Sequence, residues 1–180
     1  MLSSNSESNF NTKMSRAFVR EDDQEEAPII PPRAALPEGF PNYVTPLGKR
    51  LLEEERKEIE SEIAELSDAD ESQYRRKLTV LRGQLNSLLE RISTAQIIDS
   101  AAQPRDEVRF GATVTYRMFP GRRDTTFRIV GVDEANIKEK KIAFVSPVAQ
   151  AMIGHKAGDD VVFYPGDEKR ILKIIKIEYV

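Results

Sequence analysis

The feature that most constrains this chain is a run of apolar side chains between residues 74 and 95 whose spacings alternate between four and three. They are Tyr74, Leu78, Leu81, Leu85, Leu88, Ile92 and Ala95. This spacing repeats every seven residues, which places all of these side chains along one face of an α-helix. The sequence therefore predicts a long amphipathic helix that must bury this face against a second helix.

A second apolar stripe, earlier in the chain, supplies the partner helix. Thr45-Pro46 is a favourable start, because threonine caps helix N-termini and proline suits the first helical position. The apolar side chains that follow are Leu47, Leu51, Leu52, Ile59, Ile63 and Leu66. Since only the polar stretch 67–72 separates the two stripes, the helices are predicted to fold back as an antiparallel hairpin. The glutamates of residues 53–65 and the basic residues of the second helix favour the same pairing.

From about residue 108 the pattern changes to β-branched and aromatic segments separated by turns. The predicted strands are Ala112–Met118, Thr126–Val132, Lys141–Val145, Asp160–Tyr164 and Arg170–Tyr179. Ser146-Pro147 begins a short helix that Gly154 ends. The predicted fold class is α+β, with an N-terminal helical hairpin over residues 43–98 and a C-terminal antiparallel sheet domain with one short helix over residues 105–180.

Residues 1–41 differ in composition from the rest of the chain. They hold seven acidic and four basic residues, open with a Ser/Asn-rich stretch and contain five of the ten prolines. Proline blocks helix and sheet pairing and favours an extended backbone. We expect a mostly disordered, acidic and proline-rich tail that is ordered at most near Ile29 and Ile30.

The composition excludes several classes of function. There is no cysteine and one histidine, His155, which excludes thiolate metal sites, cysteine nucleophiles and zinc sites built from several imidazoles. No apolar run approaches the ~20 residues that span a bilayer, and the N-terminus lacks an apolar signal-peptide segment. The net charge of −3 argues against general DNA coating. The sequence predicts a soluble, cytoplasmic protein with no membrane partner.

Four segments of the second half resemble the C-terminal domain of bacterial Gre transcript-cleavage factors in sequence, order and spacing. They are Phe110–Val114, Ile129–Ala135, Ser146–Gly154 and Gly158–Val161. The helix start Thr45-Pro46-x-Gly48 and the helix exit Ala95–Ile98 also resemble the boundaries of the helical hairpin in that family. The resemblance covers residues 43–180.

The resemblance implies a fold and a partner. The sheet domain would fold like FK506-binding proteins and dock at the rim of the secondary channel of RNA polymerase, with Ser146 and Pro147 on the docking side. The hairpin would enter the channel, where acids at its tip help to hold a magnesium ion in the polymerase active site, and the polymerase then cleaves backtracked RNA. Hard Mg²⁺ prefers oxygen ligands, which explains the need for carboxylates. The chain would have no catalytic residue, cofactor or stably bound metal of its own.

The candidate tip acids are Asp68, Asp70 and Glu71. The family motif has an aspartate and a glutamate, seven and four residues before a tyrosine. Counted from Tyr74, these positions are Ser67 and Asp70, and the hairpin is several turns shorter than a standard Gre hairpin. Two interpretations remain open. The protein is either a cleavage stimulator with working tip acids, or a short-coiled competitor for the channel that does not stimulate cleavage.

The tip acids and the basic residues after them also have structural interpretations. Asp68 as N-cap with Glu71 three residues later forms a capping box, and acids in a first turn favour the helix dipole. Arg75, Arg76 and Lys77 either contact RNA phosphates near the polymerase active site or form a solvated face that pairs with the acidic first helix.

Two functions of other classes are the alternatives. The first is a peptidyl-prolyl isomerase of the FK506-binding type, suggested only by the implied fold. Such an enzyme would need an apolar pocket lined by aromatic residues. The phenylalanines of this domain show no recognisable pattern of that kind; they are Phe110, Phe119, Phe127, Phe144 and Phe163. The second is a structural coiled coil that dimerises through Leu78–Ile92. Pairing of that seam with the first helix of the same chain predicts a monomer instead.

Overall fold

The computed structural model describes residues 27–67 and 70–179. In chain order its elements are β1 (Tyr43–Val44), α1 (Pro46–Ala64), α2 (Glu71–Thr94), β2 (Gln96–Ile97), β3 (Thr113–Phe119), β4 (Asp124–Val130), β5 (Lys141–Ala143), α3 (Pro147–Met152), β6 (Asp160–Phe163) and β7 (Arg170–Glu178). The architecture is α+β, with the helical hairpin followed by the sheet domain, which confirms the predicted fold class. None of the helices in the described part of the chain is long and apolar enough to cross a membrane.

The hairpin is held together by the heptad seam of α2. Leu81 and Leu88 are buried in one cluster with Leu52 and Ile59 of α1. Burial of each such side chain contributes about 1.5–3 kcal/mol. The seam therefore pairs within the chain, as predicted.

The start of α1 is the predicted one, but its buried face differs from the prediction. Thr45 caps the helix, because its Oγ1 accepts a hydrogen bond from the Gly48 backbone nitrogen at 2.9 Å, and Pro46 is the first helical residue. Leu47 and Leu51 were expected in the apolar stripe, yet they are 40% and 45% exposed. The buried face of α1 consists of Gly48, Leu52 and Ile59 instead, so at the start of the helix it is displaced by one residue from Leu47 and Leu51.

The sheet has five strands in the order β5-β4-β3-β7-β6. Its pairs are antiparallel except β4–β5, which is parallel. The expectation of a purely antiparallel sheet is wrong for this pair. Short 3₁₀ turns at Val132–Glu134 and Ile137–Glu139 lie between the two strands, so β5 returns beside β4 in the same direction and no tight hairpin forms.

The core of the sheet domain lies between the sheet and α3. Ala149 and Met152 of α3 are fully buried in the same cluster as Val114, Ile129 and Leu172 of the central strands. This packing fixes α3, and with it the residues that begin that helix, relative to the sheet.

The segment 27–41 lies along the hairpin and against the sheet domain. Ile30 contacts α2 so closely at Gly83 that an added Cβ there would come within 2.3 Å of Ile30 Cδ1. Further along, the ring of Phe40 lies 6.1 Å from that of Phe144, edge to face. The segment therefore packs against both α2 and the sheet domain.

This placement corrects the expectation of a tail that is ordered at most near Ile29 and Ile30. Contacts with the folded body continue up to residue 41, so the expectation is wrong for residues 31–41. Proline prevents the segment from joining a sheet, but an extended chain can still pack through its side chains. Residues 1–26 lie outside the described residues, and the expectation for them stays a prediction.

Candidate functional site

The tip of the hairpin is the turn between α1 and α2, described up to Ser67 and again from Asp70. Asp70 is the N-cap of α2. Its Oδ1 accepts a hydrogen bond from the Gln73 backbone nitrogen and its Oδ2 accepts one from Gln73 Nε2, both at 3.1 Å. The first bond is the N-cap bond to the third helical residue, and the second ties the Gln73 side chain to the same carboxylate. The assignment of Asp68 as N-cap is therefore wrong, and Asp68 itself lies outside the described residues.

Glu71 and the basic residues after it are exposed on the first two turns of α2. Arg75 Nη2 lies 3.9 Å from Glu71 Oε1, and the two side chains are 66% and 82% exposed. Such a pair contributes at most about 1 kcal/mol. The predicted pairing of Arg75, Arg76 and Lys77 with the acidic first helix is not found. Among the described residues, the ion pairs of α1 lie within α1 or lead to Arg33.

The tip acids carry the oxygen atoms that magnesium prefers, but they do not form a complete site in the described residues. No group of three or more His, Asp or Glu side chains in residues 27–67 and 70–179 is arranged to hold a metal ion. The Asp70 carboxylate is engaged by Gln73, and the Glu71 carboxylate lies near Arg75. Each acid could add one ligand to a metal that is held mainly by other groups.

The candidate docking residues Ser146 and Pro147 lie at the other end of the hairpin. Ser146 Oγ caps α3 by accepting a hydrogen bond from the Ala149 backbone nitrogen at 3.4 Å, and Pro147 is the exposed first residue of that helix. Two residues earlier, the ring of Phe144 contacts that of Tyr43 at 5.5 Å, next to the start of α1. With 24 residues, α2 is about 36 Å long. The structure thus separates the docking residues from the tip acids by the length of the hairpin.

A polar cluster that the sequence analysis missed joins the base of the hairpin to the sheet domain. This junction consists of Arg33, Glu55, Arg91 and Asp133. Arg33 Nη1 donates to Glu55 Oε1 at 2.8 Å and its Nη2 donates to Asp133 Oδ1 at 2.9 Å. The hydrogen bond to Glu55 is the main cause of a pKa of Arg33 above its usual value.

Arg91 completes the junction from α2. Its Nη1 lies 3.2 Å from Asp133 Oδ2, as an ion pair without hydrogen-bond alignment. The side chains of Arg33, Asp133 and Arg91 are only 10–16% exposed, so solvent screens these charges much less than those at the tip.

Glu134 connects the start of α1 to the sheet domain. Its Oε1 accepts a hydrogen bond from the Thr45 backbone nitrogen at 3.0 Å, and its Oε2 accepts one from Thr45 Oγ1. A Cβ added at Gly48 would lie 2.2 Å from Glu134 Oε1, and one added at Gly131 would lie 2.7 Å from the Tyr43 carbonyl oxygen. Two of the segments that carry the family resemblance therefore meet here, and both glycines allow that close approach.

Two of the five aromatic residues considered for an isomerase pocket, Phe110 and Phe144, pack around the chain that leads into the hairpin. The rings of Phe110 and Phe144 lie 5.6 Å apart, and both contact Tyr43. Edge-to-face pairs of this kind stabilise by about 0.5–1.5 kcal/mol beyond the burial of their area. In this structure they hold the entry of the hairpin against the sheet domain.

Comparison with known proteins agrees with this architecture. Residues 103–179 match the model of the family described as transcription elongation factor, GreA/GreB, C-terminal. Over 139 residues the chain is 36% identical to the transcription elongation factor GreA of Trichlorobacter lovleyi, which covers 73% of this chain and 87% of the relative. Over 119 residues it is 35% identical to GreA of Hyphomonas neptunium, covering 66% and 73%. The chain belongs to the GreA/GreB family of transcription elongation factors.

Two solved structures of similar proteins also align with this chain. GreA factor homolog 1 of Thermus thermophilus aligns with a TM-score of 0.35 at 18% identity, over 77% of this chain and 99% of that chain. A GreA/GreB factor of Nitrosomonas europaea aligns with a TM-score of 0.37 at 18% identity, over 78% and 99%.

Proposed function

We propose that this protein binds RNA polymerase and regulates transcription elongation, with the hairpin in the secondary channel and α3 at the channel rim. Family membership supports the class of function. The geometry that supports it is the separation of the exposed tip from Ser146 and Pro147 by a hairpin about 36 Å long. One end can dock while the other reaches into the enzyme. In this proposal the chain is a cytoplasmic monomer that performs no catalysis and binds no cofactor of its own.

We further propose that the protein occupies the channel without stimulating RNA cleavage. Ser67 stands where the resemblance implies an acid, so one carboxylate is replaced by a hydroxyl group. Both carboxylate oxygens of Asp70 accept hydrogen bonds from Gln73, one of which caps α2. Glu71 lies beside the positive charge of Arg75. Each of these features weakens the tip as a source of oxygen ligands for magnesium.

The seam supports the proposed monomer. Leu81 and Leu88 are buried against α1 of the same chain, which removes the surface that a dimer through Leu78–Ile92 would use. Sedimentation equilibrium should therefore give the mass of one chain. A dimer that is stable at micromolar concentration would contradict this.

The decisive experiment is RNA cleavage by stalled, backtracked polymerase. We expect no stimulation by this protein alone, and a reduction of the cleavage that a GreA-type factor stimulates when both are present. Magnesium-dependent cleavage that is stimulated by the unmodified protein would refute the competitor mechanism. If the unmodified protein did not bind the polymerase at all, the proposal as a whole would be refuted.

The variant Ser67→Asp tests why stimulation is absent. It restores an acid at the first position of the family motif and leaves the Asp70 cap in place. If the missing acid is the cause, cleavage appears in the variant. If the hairpin is too short to reach the metal, cleavage stays absent while competition is unchanged. The variant Ser67→Asn, similar in size but uncharged, is the control and should behave like the unmodified protein.

A further inference from the structure

The segment 27–34 follows α2 from its first turns towards its end. Residues Ala27–Ile29 border a surface groove on the first turns, together with Gln73, Arg76, Lys77 and Val80. Ile30 then contacts the middle of the helix. Near the base, Arg91 Nη2 donates a hydrogen bond to the Ala34 carbonyl oxygen at 2.6 Å. The segment therefore runs in the same direction as α2, from the tip to the base.

This course determines where the chain before Ala27 arrives. The residues that immediately precede it are strongly acidic: Glu21, Asp22, Asp23, Glu25 and Glu26. Ala27 lies beside the first turns of α2, and six extended residues span about 20 Å. Every one of these acids is therefore within reach of the hairpin tip.

The surface that they can reach is basic. We call Arg75, Arg76 and Lys77 the tip cluster. All three side chains are exposed, and within the described part of the chain Arg76 and Lys77 have no ion-pair partner. Five acids tethered next to three bases have a high effective concentration, because docking requires no association of separate molecules.

We propose that the acidic segment 21–26 docks on the tip cluster of its own chain and shields it from anionic ligands such as RNA phosphates. The docked segment neutralises the cluster when no nucleic acid is near. A phosphate backbone must displace it before it can contact Arg76 or Lys77. This proposal concerns the free protein, so it holds or fails independently of polymerase binding.

The first test measures the docking directly. The chain has no cysteine, so Gln24→Cys gives one site for a nitroxide spin label in the full-length protein. We expect strong broadening of the backbone amide NMR signals of residues 72–78 at low salt. This broadening should fall at least about twofold at ~0.5 M salt, where exposed charges are largely screened.

Charge variants separate docking from simple proximity, because the anchored residue Ala27 keeps the label near the tip in any case. Arg76→Gln with Lys77→Gln should reduce the broadening as high salt does. Arg122→Gln with Arg123→Gln removes the same charge from the exposed turn between β3 and β4 and should leave the broadening unchanged. Broadening that is insensitive to salt and to both pairs of substitutions would overturn the proposal.

The second test measures shielding. Fluorescence anisotropy with a labelled single-stranded RNA at low salt compares two variants that lose three acids each. Neutralising Asp23, Glu25 and Glu26 to their amides should raise RNA affinity by about fivefold, the effect of one or two exposed ion pairs. Neutralising Glu54, Glu58 and Glu62 of α1 should raise it much less. Equal affinities of the two variants, or no detectable RNA binding by either, would overturn the shielding.

Discussion

The two ends of the hairpin are built from the same residue types and behave in opposite ways. At the base, arginines and acids from separate parts of the chain meet at the junction, where the side chains of Arg33, Arg91 and Asp133 are 10–16% exposed. At the tip, Arg75 and Glu71 are neighbours on one helix and are 66% and 82% exposed. The base therefore fixes the direction of the hairpin, whereas the tip keeps its charges available to a partner.

Burial decides this difference more than the number of charges does. A pair exposed to water contributes between zero and about 1 kcal/mol, and salt weakens it. A pair withdrawn from water stabilises only when all partners are present, and the loss of one partner leaves an unpaired charge. Substitutions at the base should therefore affect folding, and substitutions at the tip should affect binding.

The largest effect is expected in the seam between the two ends. Leu88 is fully buried and the adjacent Leu89 is 40% exposed. Leu88→Ala should lower the free energy of unfolding by about 2–5 kcal/mol, because it leaves a cavity between α1 and α2. Leu89→Ala is the matched control and should change it by less than about 0.5 kcal/mol. Urea denaturation followed by circular dichroism measures both, and similar losses in the two variants would show that the seam is not packed as described.

The next effect is expected at the junction. Asp133→Ala leaves Arg33 and Arg91 without their shared carboxylate and should cost about 2–3 kcal/mol of unfolding free energy, somewhat less than a fully buried pair. Asp124→Ala breaks the exposed pair with Arg117 and should cost less than about 1 kcal/mol. Denaturation in low and high salt measures both losses. If the two variants lost the same stability, burial would not be what distinguishes the junction from exposed ion pairs.

A smaller effect is expected for the cap at the tip. Asp70→Ala removes both hydrogen bonds to Gln73 and should cost about 1 kcal/mol. Asp70→Asn preserves the capping geometry and should cost only a few tenths of a kcal/mol, since asparagine caps about as well as aspartate. Thermal unfolding of the two variants measures the difference. An equal loss in both would show that the charge, and not the cap, is the stabilising feature.

The smallest effect is expected for Glu71. Glu71→Gln removes the charge opposite Arg75 and should change stability by about 0.3–0.5 kcal/mol, the size of an exposed pair one helical turn apart. Competition for the polymerase channel should be unchanged if the protein acts as an occupant. Loss of competition together with unchanged stability would show that Glu71 contacts the enzyme.

The sequence predicted the elements that depend on local patterns. The heptad seam identified α2, Thr45-Pro46 identified the start of α1, and β-branched and aromatic segments between turns identified the five strands of the sheet. The N-cap of α2 was assigned wrongly because two overlapping patterns satisfy the same rule. Asp68 has an acid three residues later and Asp70 has Gln73 three residues later, and both glutamate and glutamine suit that position.

The junction could not be predicted because its members are far apart in the chain. Arg33 and Asp133 are separated by 100 positions, and no periodic pattern connects them. Arg33 lies in a proline-rich stretch that composition alone assigned to a disordered tail. Composition describes the tendency of a segment by itself, whereas the contacts of Arg33 depend on surfaces that exist only after the hairpin and the sheet domain have formed. The parallel β4–β5 pair escaped prediction for a local reason, because two short 3₁₀ turns replace the tight hairpin between these strands.

The pairing of β1 with β2 has a consequence for the size of the hairpin. These short strands are parallel, with Tyr43 beside Gln96 and Val44 beside Ile97, so the chain enters and leaves the hairpin at one fastened point. The two helices between β1 and β2 start and end at this point, so their length does not affect how the hairpin is attached to the sheet domain. Adding seven residues to each helix would preserve the seam and extend the reach by about 10 Å. The distance from the base of the hairpin to its tip can thus change in this protein without a change in the way the hairpin is attached.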